Sequence, residues 1–290
     1  MTQDGFGNMR VVLLTKLEGG IQRGVDQAIL RILKEKDMDL VGVVVERTIH
    51  GPFIPFVRNK VRRYIRIYGL WGFWRILTKA LEISSKFWQS KLGQIVDRTN
   101  RAQEEKNKRY RSFTELRKDI DFPLFFTKNI HSDESLSLIQ QLQPDLIVVY
   151  GHRILKRPIF EIPREGAINL HHGKVPYYRG GPPCFWELYH QEKTVGVTVH
   201  YIDAGLDTGD IILQKEIPID TCDTLESLRD KIYPLGVEML VQAINLIKEG
   251  KVRAVPQDRS KGKTYSAPTI KQEAHLRKIL KERQQLKGIS

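Results

Sequence analysis

Residues 9–45 read MRVVLLTKLEGGIQRGVDQAILRILKEKDMDLVGVVV, and the fold follows from their pattern. Met9–Leu14 is a short apolar run suited to a buried strand. Gly19 and Gly20 punctuate a turn. Val25, Ile29, Ile32 and Leu33 then recur at helical spacing. Leu40–Val45 is β-branched and apolar enough to be covered on both faces. Strand, helix, strand in this order predicts a parallel sheet with a right-handed crossover. The sequence G-x-G-x-x-G does not follow the first strand, so a dinucleotide fingerprint is rejected.

Outward from this opening, residues 55–120 interrupt the alternation. Tyr64, Tyr68, Trp71 and Trp74 are interleaved with Arg62, Arg63, Arg66 and Arg75, and a polar stretch follows. A helical insertion is the simplest reading. Its 57–77 portion suits either an anionic membrane surface or a helix pair packing its aromatics on its own domain or on a second subunit. Alternation resumes with Phe122–Phe126, a helix over Glu134–Gln143 and the strand Asp145–Tyr150. The tail beyond Lys271 reads as a charged helix. The expected division is a catalytic domain over 9–247, with 55–120 inserted, and a basic extension over 248–290.

The chain has 290 residues and a net charge of +13. Residues 55–120 hold 17 Lys+Arg against 6 Asp+Glu, and 248–290 hold 12 against 4, which leaves the rest of the chain at −6. Basicity confined to an insertion and a tail is not the pattern of a uniformly basic nucleic-acid binder. Two cysteines, Cys184 and Cys222, cannot form a disulfide framework, and no Cys/His spacing suits zinc, so no metal is expected. Without a secretory signal or a spanning run, the expected location is cytoplasmic, peripheral to the inner membrane face if 57–77 docks there.

The chemistry lies in GAINLHHGKVPYYRGGPPCFWELYHQEKTVGVTVHYIDAGLDTGDII, residues 166–212. Alternation at a strand end places Asn169 and His171 on one face. The strand Val195–Ile202 runs into a loop carrying Asp203, Gly205 and Asp207, and a carboxylate there reaches the histidine if the two strand ends are close. Asn, His and Asp together can stabilise an oxyanion and move protons at a carbonyl, with no protein nucleophile required when the acceptor is an amine. Taken singly, each residue also reads as a satisfied strand end or a turn.

The two-part pattern N-x-H-x4-P-x2-R-G and G-V-T-V-H-x2-D-x-G-L-D-T-G-D resembles the folate-dependent formyltransferases. These include methionyl-tRNA formyltransferase, glycinamide ribonucleotide formyltransferase and the sugar N-formyltransferases. The resemblance implies an α/β, Rossmann-like domain with a mostly parallel twisted sheet, here with the helical insertion and a helical C-terminal tail. It implies 10-formyltetrahydrofolate as donor and Asn169, His171 and Asp207 as catalytic residues. Tyr150, Gly151, Arg153, Ile154, Leu155, Ile202, Asp203 and Gly205 match regions that line the folate pocket. His172, Lys174, Tyr178, Arg179 and Gly180 fall on the acceptor side. His172-Gly173 and Lys174-Val175 depart from the family pattern there, and His172 is expected to contact a substrate phosphate or to be a satisfied histidine.

Among acceptors, the tRNA enzyme carries a C-terminal β-barrel, whereas the residues after Ile219 end in a charged helix. The purine enzyme lacks an insertion like 55–120. The expectation is an amino sugar linked to a nucleotide or lipid, used for surface polysaccharide. A tRNA acceptor is disfavoured. The resemblance also admits a formyltetrahydrofolate hydrolase, with water as acceptor, and an inactive relative that binds folate or docks on a membrane. The sequence is compatible with a homo-oligomer.

Overall fold

The computed structural model describes residues 8–17, 23–47 and 113–287. The Gly19-Gly20 turn, the 57–77 segment and nearly all of the 55–120 insertion lie outside the described residues. Strand β1 (Met9–Leu17), helix α1 (Val25–Lys34) and strand β2 (Met38–Arg47) form the opening unit, with β1 and β2 parallel. Helix α1 starts at Gly24, whose φ of 86° favours glycine. A side chain there would also meet the Tyr150 hydroxyl, which donates to Arg23 O at 2.8 Å.

The chain continues through α2 (Phe113–Asp119), β3 (Leu124–Thr127), α3 (Asp133–Gln141), β4 (Leu146–Tyr150), α4 (Arg157–Phe160) and β5 (Ala167–His171). Helix α2 lies in the stretch read as polar; its Phe113 and Leu116 are nevertheless buried. Next come β6 (Tyr178–Gly180), α5 (Phe185–Tyr189), β7 (Thr194–Tyr201), β8 (Ile211–Pro218), α6 (Leu225–Lys248), β9 (Lys263–Tyr265) and α7 (Ile270–Lys287).

The main sheet runs β3-β2-β1-β4-β5-β7-β8. Its first five strands are parallel, and β7 and β8 are antiparallel. Sheet residues Val11–Leu14, Val43–Val45 and Leu146–Val148 are fully or almost fully excluded from solvent, as doubly covered parallel strands require. Strands β2 and β3 lie to one side of β1, β4 and β5 to the other. Their carboxyl ends therefore open on the side where such sheets place their ligands. Among the described residues no helix is long and apolar enough to cross a membrane.

The extension packs back onto this sheet. Val255 bridges Ile211, β9 pairs in parallel with β6, and Leu276 and Ile279 of α7 are buried. In α5, Glu187 is 3% exposed, and burial pushes its carboxyl up to about 7 against the pull of its own backbone N–H. The native state then binds this proton more tightly than the unfolded chain, whose ordinary value is 4.5. Stability therefore falls as pH rises between those two values. Glu187→Gln removes the effect. In urea titrations its stability relative to the parent should improve by about 2–3 kcal/mol between pH 5 and pH 8.

Candidate active site

Pairing of β5 with β7 builds the centre of the site. In this antiparallel ladder Asn169 lies opposite His200 and His171 opposite Thr198, so Asn169, His171 and His200 share one face. The turn after β7 returns Asp207 to that face. Asp207 Oδ2 lies 3.4 Å from His171 Nδ1, and Oδ1 lies 3.2 Å from Asn169 Nδ2 and 3.5 Å from His200 Nε2. The Gly180 N–H donates to Asp207 Oδ2 at 2.8 Å.

The hydrogen bonds fix the roles of the rings. His171 Nε2 is 2.8 Å from the Tyr178 carbonyl, which only accepts, so this nitrogen donates. With a carboxylate at Nδ1, acceptors flank both sides of the ring, and both nitrogens are satisfied together only as donors. His200 Nδ1 is 2.7 Å from Tyr201 O and donates to it, and its Nε2 lies 3.2 Å from Asn169 Nδ2 and 3.5 Å from Asp207 Oδ1. The Asn169 amide donates to Asp207 Oδ1.

The Asp207 carboxyl is held well below the usual carboxylate range. Burial alone would raise it, and His171, His200 and the Gly180 N–H together outweigh burial. This group is an anion throughout the physiological range.

Beside the cluster is a cleft. Its walls include Val149, Arg153, Ile154, Leu155, Asn169, His200, Ile202, Asp203, Gly205 and Asp207. Arg153 makes two bonds to buried Glu46 (Nε–Oε2 3.0 Å, Nη2–Oε1 2.8 Å), and His152 Nε2 lies 3.0 Å from the same carboxylate. Asp203 Oδ1 accepts from Gly205 N and Thr208 Oγ1, closing the turn on itself.

Of the residues read as donor-binding, Arg153, Ile154, Leu155, Ile202, Asp203 and Gly205 line this cleft. Gly151 follows β4 with φ 65°. Tyr150 turns its side chain toward α1 and α6, with the hydroxyl on Arg23 O, because alternation along β4 gives Val149 to the cleft.

His172 packs against α6. It is buried between Tyr150 and Tyr233, with ring centroids at 5.7 and 4.5 Å, and burial lowers its pKa to about 3, helped by His171. A neutral imidazole in that position offers no charge to a substrate phosphate.

Lys174 pairs with Glu216 at 2.6 Å, and Tyr178 donates its hydroxyl to Glu192 and stacks on Tyr265. Arg179 is 8% exposed, and among the described residues its Nε has no hydrogen-bond partner. The sequence reading missed His200, the Tyr178 carbonyl and the Gly180 amide. His200 stood in the quoted motif, and only its pairing with Asn169 reveals its place. The other two contacts belong to backbone and leave no side-chain signal.

The model of the formyl transferase family matches residues 83–244. The chain belongs to this family. Similar proteins include methionyl-tRNA formyltransferases from Alkaliphilus oremlandii, 37% identical over 147 residues (50% of this chain and 47% of the relative), and from Thermodesulfovibrio yellowstonii, 39% identical over 153 residues (52% and 48%). The chain spans about half the length of these curated relatives. Phosphoribosylglycinamide formyltransferase from Bacillus halodurans shares the fold with a TM-score of 0.54 at 17% identity, covering 83% of this chain and 96% of that one. A sugar N-formyltransferase from Shewanella sp. does so with a TM-score of 0.53 at 13% identity, covering 93% and 87%.

Proposed function

We propose that this protein transfers a formyl group from 10-formyltetrahydrofolate to a primary amine. The observation that carries the proposal is the meeting of Asn169, His171 and an anionic Asp207 at the edge of a cleft that Asn169 and Asp207 line. The cleft's apolar residues, Val149, Ile154, Leu155 and Ile202, suit a flat heterocycle, and Asp203 and Asp207 offer acceptors for its N–H groups. Among the described residues that line it there is no Ser, Cys or Lys to serve as an acyl-accepting nucleophile. Cys184 is buried, and burial, with Glu187 nearby, pushes its thiol up, so it is not a thiolate.

The reaction then needs only direct attack. The amine nitrogen bonds to the formyl carbon, the carbon's bond to the folate N10 breaks, and one proton moves from the amine to N10. The Asn169 amide and the His171 imidazole stabilise the negative charge on the formyl oxygen. That oxygen competes with Asp207 Oδ1 for one Asn169 proton and with the Tyr178 carbonyl for the His171 Nε2 proton. Asp207 holds His171 in orientation and balances its charge, and the pair relays the proton.

For the acceptor, we propose an amino sugar linked through phosphate to a nucleotide or lipid. Arg179 supports this. Its buried Nε lacks a partner among the described residues, and it lies between Tyr178 and Gly180, whose backbone groups hold His171 and Asp207. A buried guanidinium is satisfied by an anion, and such an acceptor carries one. A methionyl-tRNA acceptor is the second reading, favoured by the sequence relatives. We keep 9–247 as the proposed catalytic domain and 248–290 as its extension.

A panel of nucleotide-linked amino sugars and methionyl initiator tRNA, assayed for formylated product by mass spectrometry, tests this. The expected product is a formamido sugar. Product with tRNA alone would replace the first acceptor with the second.

A further inference from the structure

The extension crosses the site rather than hanging from it. Val255 and Ile211 exchange two backbone hydrogen bonds at 2.8 Å. Two residues on, Gln257 is 9% exposed, and its Nε2 donates to Asp207 O at 3.1 Å and Gly209 O at 2.6 Å. Arg259 pairs with Asp203 Oδ2 at 2.6 Å, and Lys263 opens β9, which pairs with β6. The strand β6 contributes the Tyr178 carbonyl and the Gly180 amide to His171 and Asp207.

Asp207 has φ 53°, a left-handed conformation unfavourable for a residue with a side chain. Such a residue persists when its surroundings over-determine it. Two carbonyl oxygens around one turn require two donors, and the Gln257 NH2 group supplies both from a single side chain. Its own Oε1 is buried without a hydrogen-bond partner among the described residues, so the amide is committed to this turn by its donor side.

We propose that Gln257 is a positioning residue for the transfer reaction: by clasping the carbonyls of Asp207 and Gly209 it fixes the turn that aims the Asp207 carboxylate at His171, His200 and the Gly180 amide. The role in catalysis rests on the formyl-transfer reading; the clasp itself does not. The extension is thereby part of the catalytic architecture.

Native-state hydrogen exchange at Gly180, whose N–H bonds to Asp207, reports on the turn without any substrate. In Gln257→Ala, Gly180 exchange should accelerate at least about tenfold while Val148 in β4 keeps its protection, since the opening is local. Lys261→Ala, an exposed change on the same segment, should leave both unchanged. Equal acceleration at both amides, or none at Gly180, would overturn the proposal. If the alanine variant does not fold, Gln257→Glu takes its place. A carboxylate facing two carbonyls should loosen Gly180 at pH 8, and protonation, which restores one donor, should tighten it toward the parent at pH 5. Indifference to pH there would overturn the proposal equally. In turnover assays kcat should fall at least about tenfold in Gln257→Ala with the donor KM within about threefold. An inactive parent would defeat the formyl-transfer reading and leave the exchange result to judge the clasp.

Discussion

His171→Ala should lower formyl transfer by about a thousandfold in kcat/KM, a loss of about 4 kcal/mol of transition-state stabilisation. The ring faces Asp207 at 3.4 Å and is fixed through its other nitrogen by the Tyr178 carbonyl at 2.8 Å. Its removal takes away charge stabilisation and the proton relay together. It does not touch the apolar walls of the cleft, which come from Val149, Ile154, Leu155 and Ile202. The dissociation constant for a non-reactive folate, measured by calorimetry, should therefore stay within about threefold. A variant that retains near-parental turnover would remove His171 from the chemistry.

Asp207→Asn should cost about a hundredfold to a thousandfold in kcat, measured under donor saturation. The substitution keeps volume and a carbonyl oxygen for the Gly180 N–H, but it deletes the charge that faces His171. One pH effect separates this role from simple packing. Burial raises the Asp207 carboxyl, yet His171, His200 and Gly180 bring it below its usual range. A lowered native value contributes stability that is present above the unfolded value of about 4 and is lost as pH falls through the native value. The parent should therefore lose stability to acid more steeply than Asp207→Asn below about pH 4. Parallel acid-unfolding curves would contradict this assignment of the carboxylate.

The fold was legible because its signals are local. Val11–Leu14, Val43–Val45 and Leu146–Tyr150 are runs that only a doubly covered sheet accommodates, and Val25, Ile29 and Ile32 carry helical spacing. The antiparallel turn of β7 and β8 has no comparable local mark. The same distinction governs the site. Asn169 and His171 share a face by strand alternation, whereas their approach to Asp207 depends on the β5–β7 register. His172 looked available because it adjoins His171, but the next residue of an extended segment faces the other way, and here that side is closed by Tyr150 and Tyr233. Tyr150 follows the same rule. Gln257 lies 50 residues from Asp207, and a contact at that separation through main-chain carbonyls leaves no pattern in one sequence.

Direct transfer is tested by following an isotopically labelled formyl group from 10-formyltetrahydrofolate in the presence of the parent protein and an amino-sugar nucleotide. The expected result is label on the acceptor nitrogen as a formamide, in equal amount to the tetrahydrofolate released and with no labelled protein at any time. Label recovered as free formate regardless of amine, or held covalently on the protein, would contradict direct transfer at the Asn169–His171–Asp207 centre.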